Sequence, residues 1–203
     1  MVLMPPACWW EYMRTFVLCA HEAPLDAEIP LDDLPGHGRF DLLARSVTAA
    51  FLLSHDIRAD VQLSLVLRDS LVIRLDGAEL RHLHPDERSA AALLRAALEA
   101  KDGAIGAIEA NPSPGVYVAR RGLADILEEA DGTLVQLHED GEPATQTSPP
   151  ADPIFVLSDH ESFASEEMET LEKADARRVK IGPKRIHADH AIAIAHNWVD
   201  TAG

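Results

Sequence analysis

The chain has 203 residues, 47% of them apolar, and its only cysteines are Cys8 and Cys19. This length is consistent with one large domain or two small ones, and the apolar share is enough for a buried core. No apolar run approaches the roughly 20 residues that cross a membrane, and the start does not resemble a signal peptide. We therefore expect a cytoplasmic protein whose thiols stay reduced.

The chain is strongly acidic, with 34 acidic against 18 basic residues and a formal net charge of −16. Only four of the basic residues are lysine, at positions 101, 173, 180 and 184. Such a surface repels itself at low ionic strength, and salt screens that repulsion. The composition favours a halophilic source, with an acidic, partner-excluding surface as the alternative. It argues against general nucleic-acid binding, so an RNA partner would need a local patch of arginine.

The first half of the chain is expected to begin with an extension at residues 1–12 and a folded domain from Met13. Apolar and alternating segments in this half indicate strands, and apolar residues at helical spacing indicate helices. The predicted strands cover residues 14–20, 61–67 and 71–75, the last two as a hairpin. The predicted helices cover residues 41–55, capped by Asp41, and 88–100, opened by Asp86 and Glu87.

The second half continues with short strands that alternate with helices. The predicted strands cover residues 116–119, 133–137, 154–157 and 179–181, and the predicted helices cover 123–130, 166–174 and 188 onwards. The glycine-broken stretch 102–115 and the acidic, proline-rich stretch 142–152 are expected to be loops. This alternation predicts an α/β domain with a mainly parallel sheet flanked by helices.

A glycine–proline turn, Gly182-Pro183, joins the last predicted strand to the last helix. Pro183 has a fixed φ and no N–H group, so the strand must end before it. The helix is almost continuously apolar, which predicts burial on most of its circumference. Its spacing places Ala191, Ile194, Ala195 and Trp198 on one face. Unpaired N–H groups at the start of such a helix can bind a small ligand.

Three predicted strands end in polar or glycine-containing turns, at residues 137–141, 157–160 and 181–183. Ligands of parallel α/β sheets collect at the carboxyl ends of strands, so three neighbouring ends would form one pocket. We therefore favour a cofactor pocket at these turns over loops that bind nothing.

Histidines at positions 187, 190 and 196 raise the alternative of a metal site. His187 and His190 are three residues apart and could share a helix face. The chain has no HExxH pair and no cysteines that match a zinc site, so we expect no resident metal.

Five segments carry a resemblance to a known family. They are LDDLPGHGRFDLLARSV (31–47), LLSHDIR (52–58), LHPDERSAAALLRAAL (83–98), PIFVLSDH (153–160) and IGPKRIHADHAIAIAHNWVD (181–200). The three turns resemble the cofactor loops of the SPOUT class of RNA methyltransferases. Together the segments are similar to the archaeal tRNA pseudouridine-54 N1-methyltransferases, the TrmY family. The resemblance implies a deep trefoil knot in about residues 133–203 of a single domain, S-adenosylmethionine as methyl donor, a tRNA substrate and a homodimer.

The resemblance also implies which residues contact the methyl donor. They are Leu137, Ser158, Ile181, Gly182, Pro183, Lys184, Arg185, Ile186 and Ala191. Family members often have glycine at position 158 and cysteine at position 191. Ser158 narrows the space for a close backbone approach, and Ala191 excludes a mechanism through a covalent cysteine.

Methyl transfer to pseudouridine would need a base or a cationic group beside the acceptor. The donor is a sulfonium electrophile that requires no metal, whereas N1 of pseudouridine must lose a proton. The candidates near the predicted pocket are Asp159, His160, Asp189 and His190. For each of them, a role as helix cap or as a hydrogen-bond partner of structural groups is the alternative.

Arginines in the family-like segments are the candidates for RNA binding, because a guanidinium pairs with phosphate through two N–H groups. They are Arg39, Arg45, Arg58 and Arg88, and the alternative is pairing with Asp32, Asp33, Asp41 or Glu87. Two other functions stay open at this point: the same reaction on ribosomal RNA, and a non-catalytic dimer that binds RNA or protein.

Overall fold

The computed structural model describes residues 13–81, 83–106 and 108–202, so the expected extension at residues 1–12 lies outside the described residues. The strands are β1 (Arg14–Ala20), β2 (Val61–Leu67), β3 (Leu71–Asp76), β4 (Ala110–Ser113), β5 (Val116–Ala119), β6 (Thr133–Pro143), β7 (Pro153–Ser158) and β8 (Arg177–Lys180). They form one sheet in the order β4-β5-β3-β2-β1-β7-β6-β8.

The sheet is parallel over most of its width. β1 pairs in parallel with β2 and β7, and β6 pairs in parallel with β7 and β8. β3, β5 and β4 add an antiparallel extension, and the β2–β3 pair is the predicted hairpin. The mainly parallel sheet is therefore confirmed, and the carboxyl ends of β1, β7, β6 and β8 lie along the same edge.

Helices cover both faces of the sheet, as predicted. They are α1 (Phe40–Phe51), α2 (Glu87–Glu99), α3 (Leu123–Glu128), α4 (Ser165–Lys173) and α5 (Ala188–Asp200). Successive residues of β1 point to opposite faces. Phe16 packs in the core beneath α1, α2 and α5, whereas Val17 packs in the smaller core beneath α3 and α4. Among the described residues, none of the helices has both the length and the apolar character to cross a membrane.

The first predicted helix is too long at its C-terminal end. α1 stops at Phe51, because Leu52 takes an extended conformation and pairs with Ile57 in an isolated bridge. Asp41 is also not the cap: it lies in the first turn and binds the side chains of Arg39 and Arg45.

Two predicted loops contain strand residues. Residues 110–113 form β4, an outer strand where Pro112 is tolerated because one side of the strand has no partner. β6 does not end at Leu137 but continues to Pro143. Leu137 and Glu142 both face Val179 of β8, so residues 138–141 leave the ladder as a bulge and the strand then resumes.

The face predicted for the C-terminal helix is partly wrong. Ala191 and Ala195 of α5 are buried, but Ile194 is 38% exposed. The buried positions also include Ala188 and Ile192, whereas positions 190, 193, 194 and 197 are exposed. The helix therefore has one buried face and one solvent face, and is not covered on most of its circumference.

Candidate functional site

A pocket lies where the carboxyl ends of β6, β7 and β8 meet the start of α5. Its lining includes eight of the nine predicted donor contacts: Leu137, Ser158, Ile181, Gly182, Lys184, Arg185, Ile186 and Ala191. The ninth, Pro183, is exposed and is not among the lining residues. The three turns that the sequence places at strand ends thus come together in space. Their contact with a methyl donor stays a prediction.

The bulge of β6 and the loop after β7 supply most of the further lining residues, and β7, β8 and α5 supply the others. These are His138, Glu139, Leu157, Asp159, Glu161, Ser162, Phe163, Lys180 and Ala188. The loop is tied across itself, because the Ser158 hydroxyl donates to the Glu161 carbonyl at 2.7 Å. Across the pocket, the Arg185 guanidinium donates to the Ser162 hydroxyl at 3.1 Å. The pocket therefore has apolar walls at strand ends and a polar, hydrogen-bonded rim.

His21, the first residue after β1, holds this loop through two carboxylates. Its Nδ1 lies 2.9 Å from Asp159 Oδ1, and its Nε2 lies 2.9 Å from Glu167 Oε2 in α4. The backbone N–H of His21 also donates to Asp159 Oδ2 at 2.9 Å. Glu161 and Ala164 donate their backbone N–H groups to the same two carboxylates. The loop is thereby fixed to both β1 and α4.

The pKa values of this cluster are those of an imidazolium between two carboxylates. Hydrogen bonds to Asp159 and Glu167 raise the pKa of His21 from 6.5 to about 10. Burial alone would raise the pKa of Asp159 and of Glu167. Hydrogen bonds from His21 and from backbone N–H groups outweigh this effect and lower both. Asp159 is therefore ionised and occupied at neutral pH.

Of the four candidate bases, only Asp159 lines the pocket. His160 points toward carboxylates, with Nε2 at 3.4 Å from Glu22 and 3.6 Å from Glu161. Asp189 is buried against α1, where its Oδ2 accepts from Arg45 at 3.0 Å and its Oδ1 has no hydrogen-bond partner among the described residues. His190 lies beside it, with a side chain that is 69% exposed.

The three histidines of the metal alternative do not form a cluster. His196 is buried, with Nε2 at 3.0 Å from the carbonyl of Ala50 and Nδ1 at 3.2 Å from Arg14. The ring centroids of His187 and His190 are 6.4 Å apart. Within residues 13–81, 83–106 and 108–202, the one group with ligand atoms close enough for a metal is Glu22, His160 and Glu161, at the surface. Exposed acidic groups of this kind are common without a metal.

Three of the four RNA-binding candidates are engaged with carboxylates. Arg39 binds Asp41 at 3.0 Å, Arg45 binds Asp41 and Asp189, and Arg58 binds Asp200 at 2.7 Å. Arg88 is exposed and has no ion pair with any described carboxylate. Arg39 and Arg45 thus show the alternative of internal pairing: Asp41 is a partner of both, and Glu87 lies 3.8 Å from Arg45.

His21 is a feature that the sequence did not reveal, whereas His138 and Glu139 of the bulge lie in the predicted turn 137–141. His21 is separated from Asp159 by 138 positions and from Glu167 by 146. The available signal was its place directly after a buried strand, the same rule that identified the other three turns.

Comparisons with known proteins agree on one family. The sequence model of a family described as "Putative SAM-dependent RNA methyltransferase" matches residues 13–203. A tRNA (pseudouridine(54)-N(1))-methyltransferase of Haloferax volcanii is 53% identical over 194 residues, covering 94% of this chain and 98% of the relative. One of Methanocella arvoryzae is 42% identical, covering 92% and 97%. The crystal structure of Archaeoglobus fulgidus Nep1 bound to S-adenosylhomocysteine has a TM-score of 0.63 at 13% identity, covering 95% and 98%, so it is similar in fold.

Proposed function

The chain belongs to this family of SAM-dependent RNA methyltransferases, and from that membership we propose that it methylates N1 of pseudouridine at position 54 of tRNA. The donor is S-adenosylmethionine. The haloarchaeal relative explains the acidic composition as an adaptation to salt. Neither ribosomal RNA as substrate nor a non-catalytic dimer is favoured, since both relatives described above are named as tRNA methyltransferases.

One observation carries the proposal: residues from three separate strand ends line a single pocket at the carboxyl edge of a parallel sheet. The residues present fit the donor. Leu137, Leu157, Ile181, Ile186 and Ala191 offer apolar surface to a flat adenine ring. The short side chain of Ala191 leaves space above α5, which forms the floor of the pocket. The space at Gly182 is also open, since an added Cβ atom there would have no neighbouring atom closer than 3.6 Å. Polar groups of the rim are available for a ribose and an amino acid.

The bound donor would supply an electrophilic methyl group on a sulfonium. The chain's own residues then have to hold the substrates in position, shield the reaction and accept the proton that N1 of pseudouridine loses. The hydrogen bonds within the loop 158–164 keep the pocket shape fixed, which holds the reacting groups in position. The carboxylates of Glu139 and Glu161 on the lining complement the positive charge of the donor.

The candidates for the proton acceptor remain Asp159, His160, Asp189 and His190. Asp159 is the candidate on the lining, but its bound donors keep its pKa low, so we propose that it positions the loop. Rates measured against pH for Asp159→Asn, His160→Gln, Asp189→Asn and His190→Gln would identify the acceptor. Substitution of the true acceptor should remove the rise in rate with pH. The other three variants should keep that rise, because they retain the titrating group.

We further propose that residues 13–203 form one domain with a trefoil knot in about residues 133–203. In support, the family match covers residues 13–203, and the described strands form a single sheet. Trp198 of α5 donates to the Thr147 carbonyl at 3.3 Å, which brings the segment after β6 onto the C-terminal helix. A crystal structure in which the helix α5 is not threaded through the loop formed by residues 138–152 would contradict the proposed knot. A chain that starts at Met13 should melt at the temperature of the full chain.

A homodimer and a cytoplasmic location complete the proposal. Light scattering of the purified chain should give twice the mass of 22.1 kDa, and a monomeric mass would remove the dimer.

The activity is tested with purified protein, S-adenosylmethionine and tRNA transcripts that carry pseudouridine or uridine at position 54. Mass spectrometry should find 1-methylpseudouridine in the first transcript and no methylation of the second. A ribosomal RNA fragment that contains pseudouridine serves as the competing substrate. If the protein binds S-adenosylhomocysteine but methylates none of these RNAs, it would instead be a non-catalytic binding protein.

A further inference from the structure

The chain has one strongly basic segment, residues 176–188, which contains Arg177, Arg178, Lys180, Lys184 and Arg185 and no acidic residue. In a chain with a net charge of −16, this segment is an exception. It includes β8, the outermost strand at one end of the sheet, and the loop that lines the pocket. We propose that its residues 178–185 form the surface that binds the phosphates of the tRNA T-arm beside the methyl-donor pocket. This inference rests on the proposed function.

The first argument is that these cations are available. Nine arginines of the chain are within ion-pair distance of described carboxylates: Arg14, Arg39, Arg45, Arg58, Arg74, Arg95, Arg120, Arg121 and Arg177. Arg178 instead donates to the Gln136 amide at 3.0 Å, and Arg185 donates to the Ser162 hydroxyl. Lys180 and Lys184 have no ion pair with a described carboxylate. The cations of residues 178–185 are therefore not used in ion pairs with the described carboxylates and can contact an anion.

The second argument is position. The remaining cations without a described carboxylate partner, Arg68, Arg81, Arg88 and Lys101, are scattered over other parts of the chain. Those of residues 178–185 follow one another along an open edge, and Arg178, Lys184 and Arg185 are exposed. Lys180, Lys184 and Arg185 line the pocket, so phosphates bound there would lie beside the reacting base.

The third argument is the charge around this surface. The lining also carries Glu139 and Glu161, which would repel an RNA backbone that approached over the bulge or over the loop after β7. An RNA backbone is therefore directed to the edge formed by β8. Guanidinium and ammonium groups at such an edge contact phosphates without reading sequence, which positions the RNA for the reaction.

The test compares two double variants that remove equal charge. Arg178→Gln/Lys184→Gln changes the proposed surface, and Arg68→Gln/Arg81→Gln changes two exposed cations elsewhere. The first should raise the KM for tRNA about tenfold at moderate salt and reduce the log–log salt slope of tRNA binding by about two, one for each phosphate contact. The second should leave both near the wild-type values. The single variant Arg178→Gln should bind S-adenosylhomocysteine as the wild type does, since Arg178 is not on the lining.

Two outcomes would overturn the inference. One is an unchanged KM and salt slope in Arg178→Gln/Lys184→Gln, or a larger effect of Arg68→Gln/Arg81→Gln on these two quantities. The other is self-association of the first variant with unchanged tRNA binding, which would mean that the cations protect an edge strand from pairing. If the wild type binds tRNA without methylating it, the proposed function fails, while the binding comparison still tests the surface.

Discussion

At the scale of single residues, His21 determines how the wall of the pocket is held. Its imidazole faces Asp159 at the end of β7 and Glu167 of α4, with Asp69 and Cys19 close to the same cluster. A neutral imidazole carries one N–H group, so one of the two contacts at 2.9 Å would lose its proton. The two side-chain contacts of His21 therefore require its charged form, in addition to the backbone N–H of His21 that also holds Asp159.

This requirement predicts a pH dependence that His21→Gln removes. The pKa of His21 is raised from 6.5 to about 10, so its stabilisation is complete below the first value and is lost as pH rises through the second. We expect the free energy of unfolding of the wild type to fall over this interval. His21→Gln should be less stable by roughly 2 kcal/mol near neutral pH and lack this fall.

Chemical denaturation at a series of pH values measures the difference, and His55→Gln is the matched control because His55 is exposed. The control should keep the wild-type profile. An equal slope in His21→Gln and in the wild type would show that another group titrates.

The three turns that border the pocket could be predicted from sequence because each follows a buried strand, and the parallel sheet places those strand ends together. The individual residues, such as Ala191 in α5, were implied by the resemblance to the family. The residues that hold the turns could not be predicted. His21 meets its partners only after β1 and β7 pair, and Asp189 meets Arg45 only after α5 packs on α1. No local pattern encodes such contacts.

At the scale of elements, the packing of α5 on α1 depends on Arg45. This arginine lies 2.6 Å from Asp41 and 3.0 Å from Asp189, whose side chains are only 7% and 11% exposed. Burial would raise the pKa of Asp41, but hydrogen bonds from Arg39 and Arg45 lower it. The start of α5, which borders the pocket, is thus fixed by a partly buried ion pair.

Arg45→Met should destabilise the protein by about 3 kcal/mol, because it leaves the carboxylate of Asp189 buried without a counter-ion. The control is Arg95→Met, whose pair with the 62% exposed Glu99 is at 3.9 Å and should contribute less than about 1 kcal/mol. Denaturation by urea gives both values. A raised KM for tRNA with unchanged stability would instead make Arg45 a phosphate contact.

A second contact between elements depends on Gly141, the last residue of the bulge in β6. A Cβ at this position would lie 2.6 Å from the backbone N and C of Val179, so β6 and β8 would have to separate. Gly141→Ala should cost about 2 kcal/mol and weaken the binding of S-adenosylhomocysteine. Gly103→Ala is the control, since its Cβ would meet only Ala110 Cβ at 3.4 Å. Equal stability of the two variants would contradict the close approach.

The type of almost every element follows from hydrophobic periodicity, whereas its length depends on pairing. β6 extends past Leu137 because Glu142 and Pro143 find partners in β8, although this stretch is acidic and contains proline. α1 ends early because Leu52 pairs with Ile57. β4 was missed because the sequence ANPS has no strand propensity and is a strand only beside β5.

At the scale of the whole molecule, charge is distributed unevenly. Most arginines are used in ion pairs that hold elements together, and the cations of residues 178–185 remain at one edge. The surplus of carboxylates covers the remaining surface. Self-repulsion therefore acts on the fold as a whole, whereas the pocket edge can still attract an anion.

This surplus predicts that salt stabilises the fold. Raising the KCl concentration screens repulsion among the charges that make up the net −16, so Tm should increase. A gain of roughly 2–3 kcal/mol corresponds to about 5–10 °C for a chain of this size. Differential scanning calorimetry measures Tm across the KCl series, with sucrose at equal osmolality as the control for excluded-solute effects. Equal increases in KCl and sucrose, or a Tm independent of KCl, would mean that repulsion does not limit the stability of this acidic chain.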